Sequence, residues 1–269
     1  TAAMIEGARR IGKSTIAEEF AKNEYESYIL IDFSIASKAT RDLFEDISDL
    51  NYLFLQLQLQ YKVDLKERKS VIIFDEVQKC PLARQAIKHL VKDHRYDYIE
   101  TGSLISIKKN VKDIVIPSEE RKIHMYPMDY EEFLWATGDN TSYSVVKKFF
   151  ETGKPLGQQT NRKLLRDFRL YMLVGGMPQA VEVYRNTNNF KKVDVVKRDI
   201  LHLYEDDFVK IDSTGRASML FDAIPAQLNK NTCRYQVSHV LNRDVRANEL
   251  LQLIAEMKDS GTVLVSYHA

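Results

Sequence analysis

Two short stretches of this sequence carry groups whose types and spacing suit one chemistry, the handling of a polyphosphate. The first is Gly7-Ala8-Arg9-Arg10-Ile11-Gly12-Lys13-Ser14, followed by Thr15. Glycines at both ends let the backbone curl so that successive N–H groups point inward at phosphate oxygens, and a helix beginning at Lys13 aims the positive end of its dipole there. Lys13 supplies a point charge for the β and γ phosphates, the Ser14 hydroxyl a ligand for Mg²⁺, and Thr15 a contact to the α phosphate. Ala8, Arg9, Arg10 and Ile11 form the arch between the glycines, with the arginines either solvated or gripping a partner. The second stretch is Val71-Ile72-Ile73-Phe74-Asp75-Glu76, four apolar residues running into two carboxylates. Asp75 suits Mg²⁺ held through its water shell, and Glu76 suits the polarisation of an attacking water, which a hydrolase needs and a nucleotide carrier does not. A third segment, Thr101-Gly102-Ser103, offers Ser103 as a sensor of the γ phosphate, although Gly and Ser also make turns.

These groups need elements to position them. Ala3–Glu6, Tyr28–Phe33, Val71–Asp75, Tyr96–Thr101 and Lys122–Tyr126 read as short strands, and Ser14–Lys22, Arg41–Tyr61 and Leu82–Asp93 as helices between them. Alternating strands and helices predict a mostly parallel sheet covered on both faces, a three-layer α/β domain. Its ligands then sit beyond the C-terminal ends of the strands, which is where Gly7, Asp75 and Ser103 fall.

After Pro127 the pattern turns helical: Asp129–Trp135, Ser144–Glu151, Asn161–Leu173, Pro178–Arg185 and Val193–Tyr204. Phe133 and Trp135 read as core residues of an amphipathic helix. From Ala217 come three more helical stretches, the last Asn248–Lys258, and then a strand-like run, Thr262–Tyr267. That order predicts a winged helix. The expected organisation is a core at 1–135, an all-helical lid at 136–216 and a winged-helix-like segment at 217–269. Thr1 is not an initiator Met and the wing lacks a second strand, so both ends are expected to be cut from a longer chain.

With 269 residues and a 44% hydrophobic fraction, the chain has enough apolar material for more than one core, which excludes disordered and disulfide-stapled classes. Its 39 Lys and Arg against 38 Asp and Glu exclude a global field that draws it to nucleic acid or anionic lipid. A polyanion must therefore be held locally. One local imbalance stands out: Lys230, Arg234, Arg243 and Arg246 face only Asp244 between positions 230 and 246. Two distant cysteines, Cys80 and Cys233, predict a reducing compartment, the cytoplasm, and the six scattered histidines give no zinc spacing. No apolar run approaches a membrane span.

In the order GARRIGKST (Gly7–Thr15), IIFDEVQ (Ile72–Gln78), ETGS (Glu100–Ser103), YPMDYEEF (Tyr126–Phe133) and VGGMPQAV (Val174–Val181), the chain resembles AAA-type ATPases of the archaeal-ATPase-like group. The resemblance implies a P-loop NTPase core of the additional-strand branch, a helical lid and a winged helix, with ATP and Mg²⁺ as cofactors. It implies the roles given above for Lys13, Ser14, Asp75, Glu76 and Ser103, and places Pro178 and its glycines near the nucleotide, reporting its state to the lid. Arg121 falls where family members carry a Gly-Arg pair, here Glu120-Arg121, and is implied as an arginine finger for a neighbouring subunit in a homo-oligomer.

Two functions of different class follow. One is an ATP hydrolase whose nucleotide state moves lid and winged helix. The other is a nucleotide-gated module that binds duplex DNA through the cations between Lys230 and Arg246, with hydrolysis slow or incidental. A small-molecule kinase is disfavoured because no acceptor site is legible.

Overall fold

The computed structural model describes residues 1–103, 120–229, 235–241 and 247–266. It divides into two compact units, Thr1–Met125 with Glu205–Ala269, and Tyr126–Tyr204. These boundaries differ from those expected at 135 and 216. Local texture reports which kind of element a segment forms, and not which elements share a core.

In the first unit, β1 (Ala2–Gly7), β2 (Ser27–Asp32), β3 (Ser70–Asp75), β4 (Asp97–Ser103) and β5 (Glu120–Met125) form one parallel sheet in the order β2-β3-β4-β1-β5. All five match the strands expected from sequence to within a few residues at each end, and β4 is inserted between the loop-bearing β1 and the acid-bearing β3. Position follows composition. Ser-Val-Ile-Ile-Phe-Asp of β3 is buried at every residue, as a central strand covered on both faces must be, whereas Glu-Arg-Lys-Ile-His-Met of β5 is largely exposed at the edge.

One face is covered by α1 (Lys13–Glu24), whose Ala17 and Ala21 let the helix sit close on Val71, Ile73 and Ile99. The other carries α2 (Lys38–Asp42), α3 (Leu50–Tyr61) and α4 (Pro81–Asp93) over a larger cluster that includes Ile31, Ile72, Leu53, Leu57 and Ile87. Phe33, Phe44 and Phe74 meet edge to face with centroids 5.5 to 5.7 Å apart. Such contacts add about 1 kcal/mol each to the burial of the rings. The single helical stretch expected over Arg41–Tyr61 is two helices, because Asp49 turns its carboxylate onto the Tyr52 N–H at 3.1 Å and so starts α3 afresh.

Tyr126–Tyr204 holds α5 (Tyr130–Ala136), α6 (Ser142–Glu151), α7 (Gln158–Val174), α8 (Pro178–Thr187) and the first part of α9 (Phe190–Ile211). Asp129 and Glu132 form a reciprocal capping box at the start of α5. The core here is Phe133, Val174, Ala180, Val181 and Val193. Phe133 is buried as expected, but Trp135 is half exposed. It follows Phe133 by two residues, about 200° around the helix, and so points away from that core. The two resemblance motifs of this unit meet at Gly176, where the Met128 N–H donates to the Gly176 carbonyl at 2.8 Å and a Cβ would lie 2.1 Å from the Met128 oxygen. Only glycine permits that approach.

The rest of α9, from Glu205, belongs to the first unit with α10 (Arg216–Asp222), α11 (Ile224–Leu228) and α12 (Ala247–Asp259). Phe208, Ala217, Leu220, Leu253 and Met257 are buried. Residues 262–266 form no strand, contrary to expectation, and Tyr267 lies outside the described residues. Ser260 and Thr262 turn their hydroxyls onto the Met257 carbonyl at 2.6 and 3.1 Å, and an apolar run cannot make a strand without a partner to pair with.

One buried polar cluster stands out in the first unit. Arg84 of α4 lies 4.0 Å from Glu100 of β4 and 3.3 Å from Glu120 of β5, with all three side chains fully buried. Both Glu100 carboxyl oxygens lack a hydrogen-bond partner. Burial, with the charge of Glu120 beside it, pushes the Glu100 carboxyl up to about 8 against the pull of Arg84. The unfolded chain releases this proton near pH 4.5 and the folded chain near 8, so stability falls as pH rises between those values and is flat above. Glu100→Gln is therefore expected to be more stable than the wild type by on the order of 3 kcal/mol at pH 8.5 and by little at pH 4.5. Denaturant unfolding of both proteins at the two pH values checks this, and a gain that does not grow with pH contradicts it.

Candidate functional site

The loop between β1 and α1 is shaped by three backbone constraints. A Cβ at Gly7 would lie 2.3 Å from the Met125 carbonyl oxygen and 2.6 Å from Ile11 Cδ1, so the strand end, β5 and the loop close up only around glycine. Ile11, fully buried, anchors the arch. Arg10 and Gly12 take positive φ of 66° and 93°, which turns the chain sharply into α1. Gly12 does so freely, while Arg10 accepts a cost of roughly 1 kcal/mol.

Lys13 is buried and donates to the carbonyls of Ala8 at 2.7 Å and Gly7 at 3.4 Å. Burial lowers its ammonium below the usual lysine value, Glu76 and Asp75 pull it back up, and Arg9 adds to the lowering. Across from it, the Ser14 hydroxyl donates to Asp75 Oδ1 at 2.6 Å. The first residues of α1 and the last of β3, 61 positions apart in sequence, thus meet side chain to side chain.

Thr101 ties the acid end of β3 to β4. Its hydroxyl donates to the same Asp75 Oδ1 and accepts the Glu76 N–H at 3.4 Å. Glu76 sits at φ 53°, an uncommon region for a residue with a Cβ, and Gln78 Nε2 donates to its Oε2. Ser103 is buried two residues beyond Thr101 on the same face of β4, level with Gly7.

The structure therefore brings Gly7 to Ser14, Asp75, Glu76 and Ser103 to the C-terminal ends of three adjacent strands. Thr15, the third residue of α1, is exposed. Pro178 opens α8 in the second unit, where Gly176 packs on Met128. Arg121 lies on β5 level with Ala3, about 13 Å along the strand from the level of Gly7. Lys230, Arg234, Arg243, Arg246 and Cys233 are outside the described residues. Two residues escaped the sequence reading, Thr101 and Gln78. Strand alternation was the available signal for Thr101, which shares the face of Ile99 that α1 covers. Among the described residues no helix is long and apolar enough to cross a membrane, and no group of three or more His, Cys, Asp or Glu is arranged to hold a metal ion.

A glycine-bounded loop feeding a helix from β1, an acid pair ending β3 and a strand inserted between them define a P-loop NTPase domain. More narrowly, residues 1–134 match the family model described as an AAA domain. Residues 165–265 match a domain of unknown function (DUF8612). No curated protein matches the chain. Among solved structures it is similar to PCH-2 of C. elegans, at 11% identity and TM-score 0.34 over 70% of this chain and 56% of that one. It is likewise similar to the ORC1 protein of Aeropyrum pernix, in complex with DNA, at 12% identity and TM-score 0.39 over 97% of this chain and 78% of that one. The Thermotoga maritima RuvB Holliday junction branch migration motor gives 12% and 0.39, over 97% and 80%.

Because Thr101 serves Asp75 and Glu76 together, Thr101→Val is expected to cost about 1–3 kcal/mol of stability, and Thr101→Ser much less. Equal denaturant midpoints for the two variants would show that the hydroxyl contributes nothing.

Proposed function

We propose that this chain binds ATP with Mg²⁺ and hydrolyses it. The observation that carries the reading is the 2.6 Å contact of Ser14 with Asp75, next to a lysine buried in a glycine-bounded loop. The residues present fit the group: a hydroxyl and a carboxylate converge as oxygen donors suited to a hard cation. Ser14 and Asp75 would hold Mg²⁺, which when bound offsets charge on the β and γ phosphate oxygens.

Lys13 exchanges its bonds to the Ala8 and Gly7 carbonyls for phosphate oxygens of the nucleotide. A phosphate beside it favours the charged ammonium that burial disfavours. Glu76 is the general base. Gln78 occupies its Oε2, which leaves Oε1 to take the proton of the attacking water, and the Thr101 bond to its backbone N–H fixes where the carboxylate starts. Ser103, level with the loop, donates to the γ phosphate or orients the water. The loop backbone from Gly7 to Thr15 wraps the phosphates.

We assign the response to nucleotide state to the helical segment 136–216, with Pro178 as its sensor, and to the winged-helix-like segment 217–269. Arg121, exposed on the edge strand, is assigned to a neighbouring copy. DNA binding through Lys230 to Arg246 remains the alternative, and binding to duplex DNA that weakens steeply with added salt is its expected signature.

Glu76→Gln is expected to keep ATP affinity within a few-fold and to lower turnover by about 10²-fold or more, while Lys13→Ala loses nucleotide binding. Phosphate-release assays with parallel ATP titrations check both. Turnover unchanged in Glu76→Gln rules out this assignment.

A further inference from the structure

The last turns of α9 place one acid against the phosphate loop. The side chain of Asp207 is only 2% exposed, and a carboxylate so buried needs cationic partners. It has two: Arg9 Nη1 of the loop at 3.5 Å, 198 positions away in sequence, and, closer, Lys210 one turn further along its own helix. The Arg9 side chain keeps 40% of its exposure, and its charge reaches Lys13 strongly enough to help lower that ammonium. One guanidinium therefore serves both the phosphate loop and a buried acid from the C-terminal segment.

We propose that Asp207 and nucleotide phosphate compete for Arg9, so that the Arg9–Asp207 pair is a latch through which occupancy of the loop loosens the segment beginning at Glu205. This rests on the nucleotide-binding reading above and adds its regulation.

Three features support competition. A phosphate accepts two parallel bonds from a guanidinium, a stronger arrangement than one contact at 3.5 Å. Loss of Arg9 does not strand a buried charge, because Lys210 still neutralises Asp207, and an ion pair can open readily only when neither ion is left alone. The segment is also built to pass a shift onward. Phe208 beside Asp207 is fully buried, and five residues further Asp212 accepts the Thr214 N–H at 3.0 Å and the Ala217 N–H at 3.2 Å, tying the end of α9 to the start of α10.

The test uses the full chain, ATP titration and backbone hydrogen exchange over residues 205–222. In the wild type, ATP is expected to speed exchange in this segment. Asp207→Asn is expected to bind ATP about fivefold more tightly and to exchange fast with or without it. Arg9→Gln retains the Asp207–Lys210 pair and so avoids a folding defect from an altered buried acid; its segment is expected to exchange fast and to ignore ATP. Equal or weaker ATP binding by folded Asp207→Asn overturns the latch, as does wild-type exchange that ATP leaves unchanged. A folded wild type that binds no ATP overturns the nucleotide-binding reading, and the latch with it, so the two failures are distinguishable.

Discussion

The site depends on the parallel direction of the sheet. Because β1, β3 and β4 run the same way in fixed register, their C-terminal ends deliver the glycine-bounded loop, the acid pair and a hydroxyl to one edge. Parallel strands require crossovers, and those that connect β1 through β4 carry α1 on one face of the sheet and α2, α3 and α4 on the other. Ser14 reaches Asp75 only because α1 starts at the top of β1 and packs back, through Ala17 and Ala21, over β3. Larger residues at those alanines would lift the helix and part the two oxygens.

Polar groups inside this unit are arranged with unequal care. Around Asp75 the hydroxyls of Ser14 and Thr101 converge on a single oxygen, and the Glu76 N–H is drawn into the same chain of bonds. Networks of this kind hold donors where a charged ligand needs them. Around Glu100 the reverse holds. Its neighbour Arg84 is engaged chiefly by Glu120, and the carboxyl oxygens are left without hydrogen-bond partners one residue before Thr101. Strand alternation sends Glu100 and Thr101 to opposite faces, so the strand carries an unsatisfied acid on one side and the network's central hydroxyl on the other.

The second unit shows how backbone shape alone can link two motifs. The approach of Met128 to Gly176 brings the segment before α5 against the turn before α8, and the Tyr171 hydroxyl donates to the Met128 carbonyl at 2.9 Å to fix the same point. Gly176 therefore has a sufficient packing reason in this unit and Gly175 a conformational one, its φ of 84°, whatever further part Pro178 takes.

Much of the fold and the residues of the candidate site were legible from sequence because their signals are local. Glycines mark sharp turns, a run such as Val71 to Phe74 marks a strand buried on both faces, and periodic apolar residues mark helices; each follows from the conformations that neighbouring residues allow. The groups at Gly7–Ser14, Asp75, Glu76 and Ser103 were identifiable for that reason. Local signals also misled: Asp49 split one helical pattern in two, Trp135 turned away from the core, and Thr262 to Ser266 formed no strand. Only the tertiary structure decided which partners distant residues find. The Thr101 bonds to Asp75 and Glu76, the Gln78 contact with Glu76, the burial of Glu100 beside Arg84 and the reach of Asp207 to Arg9 depend on sheet order and helix packing. Such contacts join residues separated by up to 198 positions, and no pattern of neighbours along the chain encodes them.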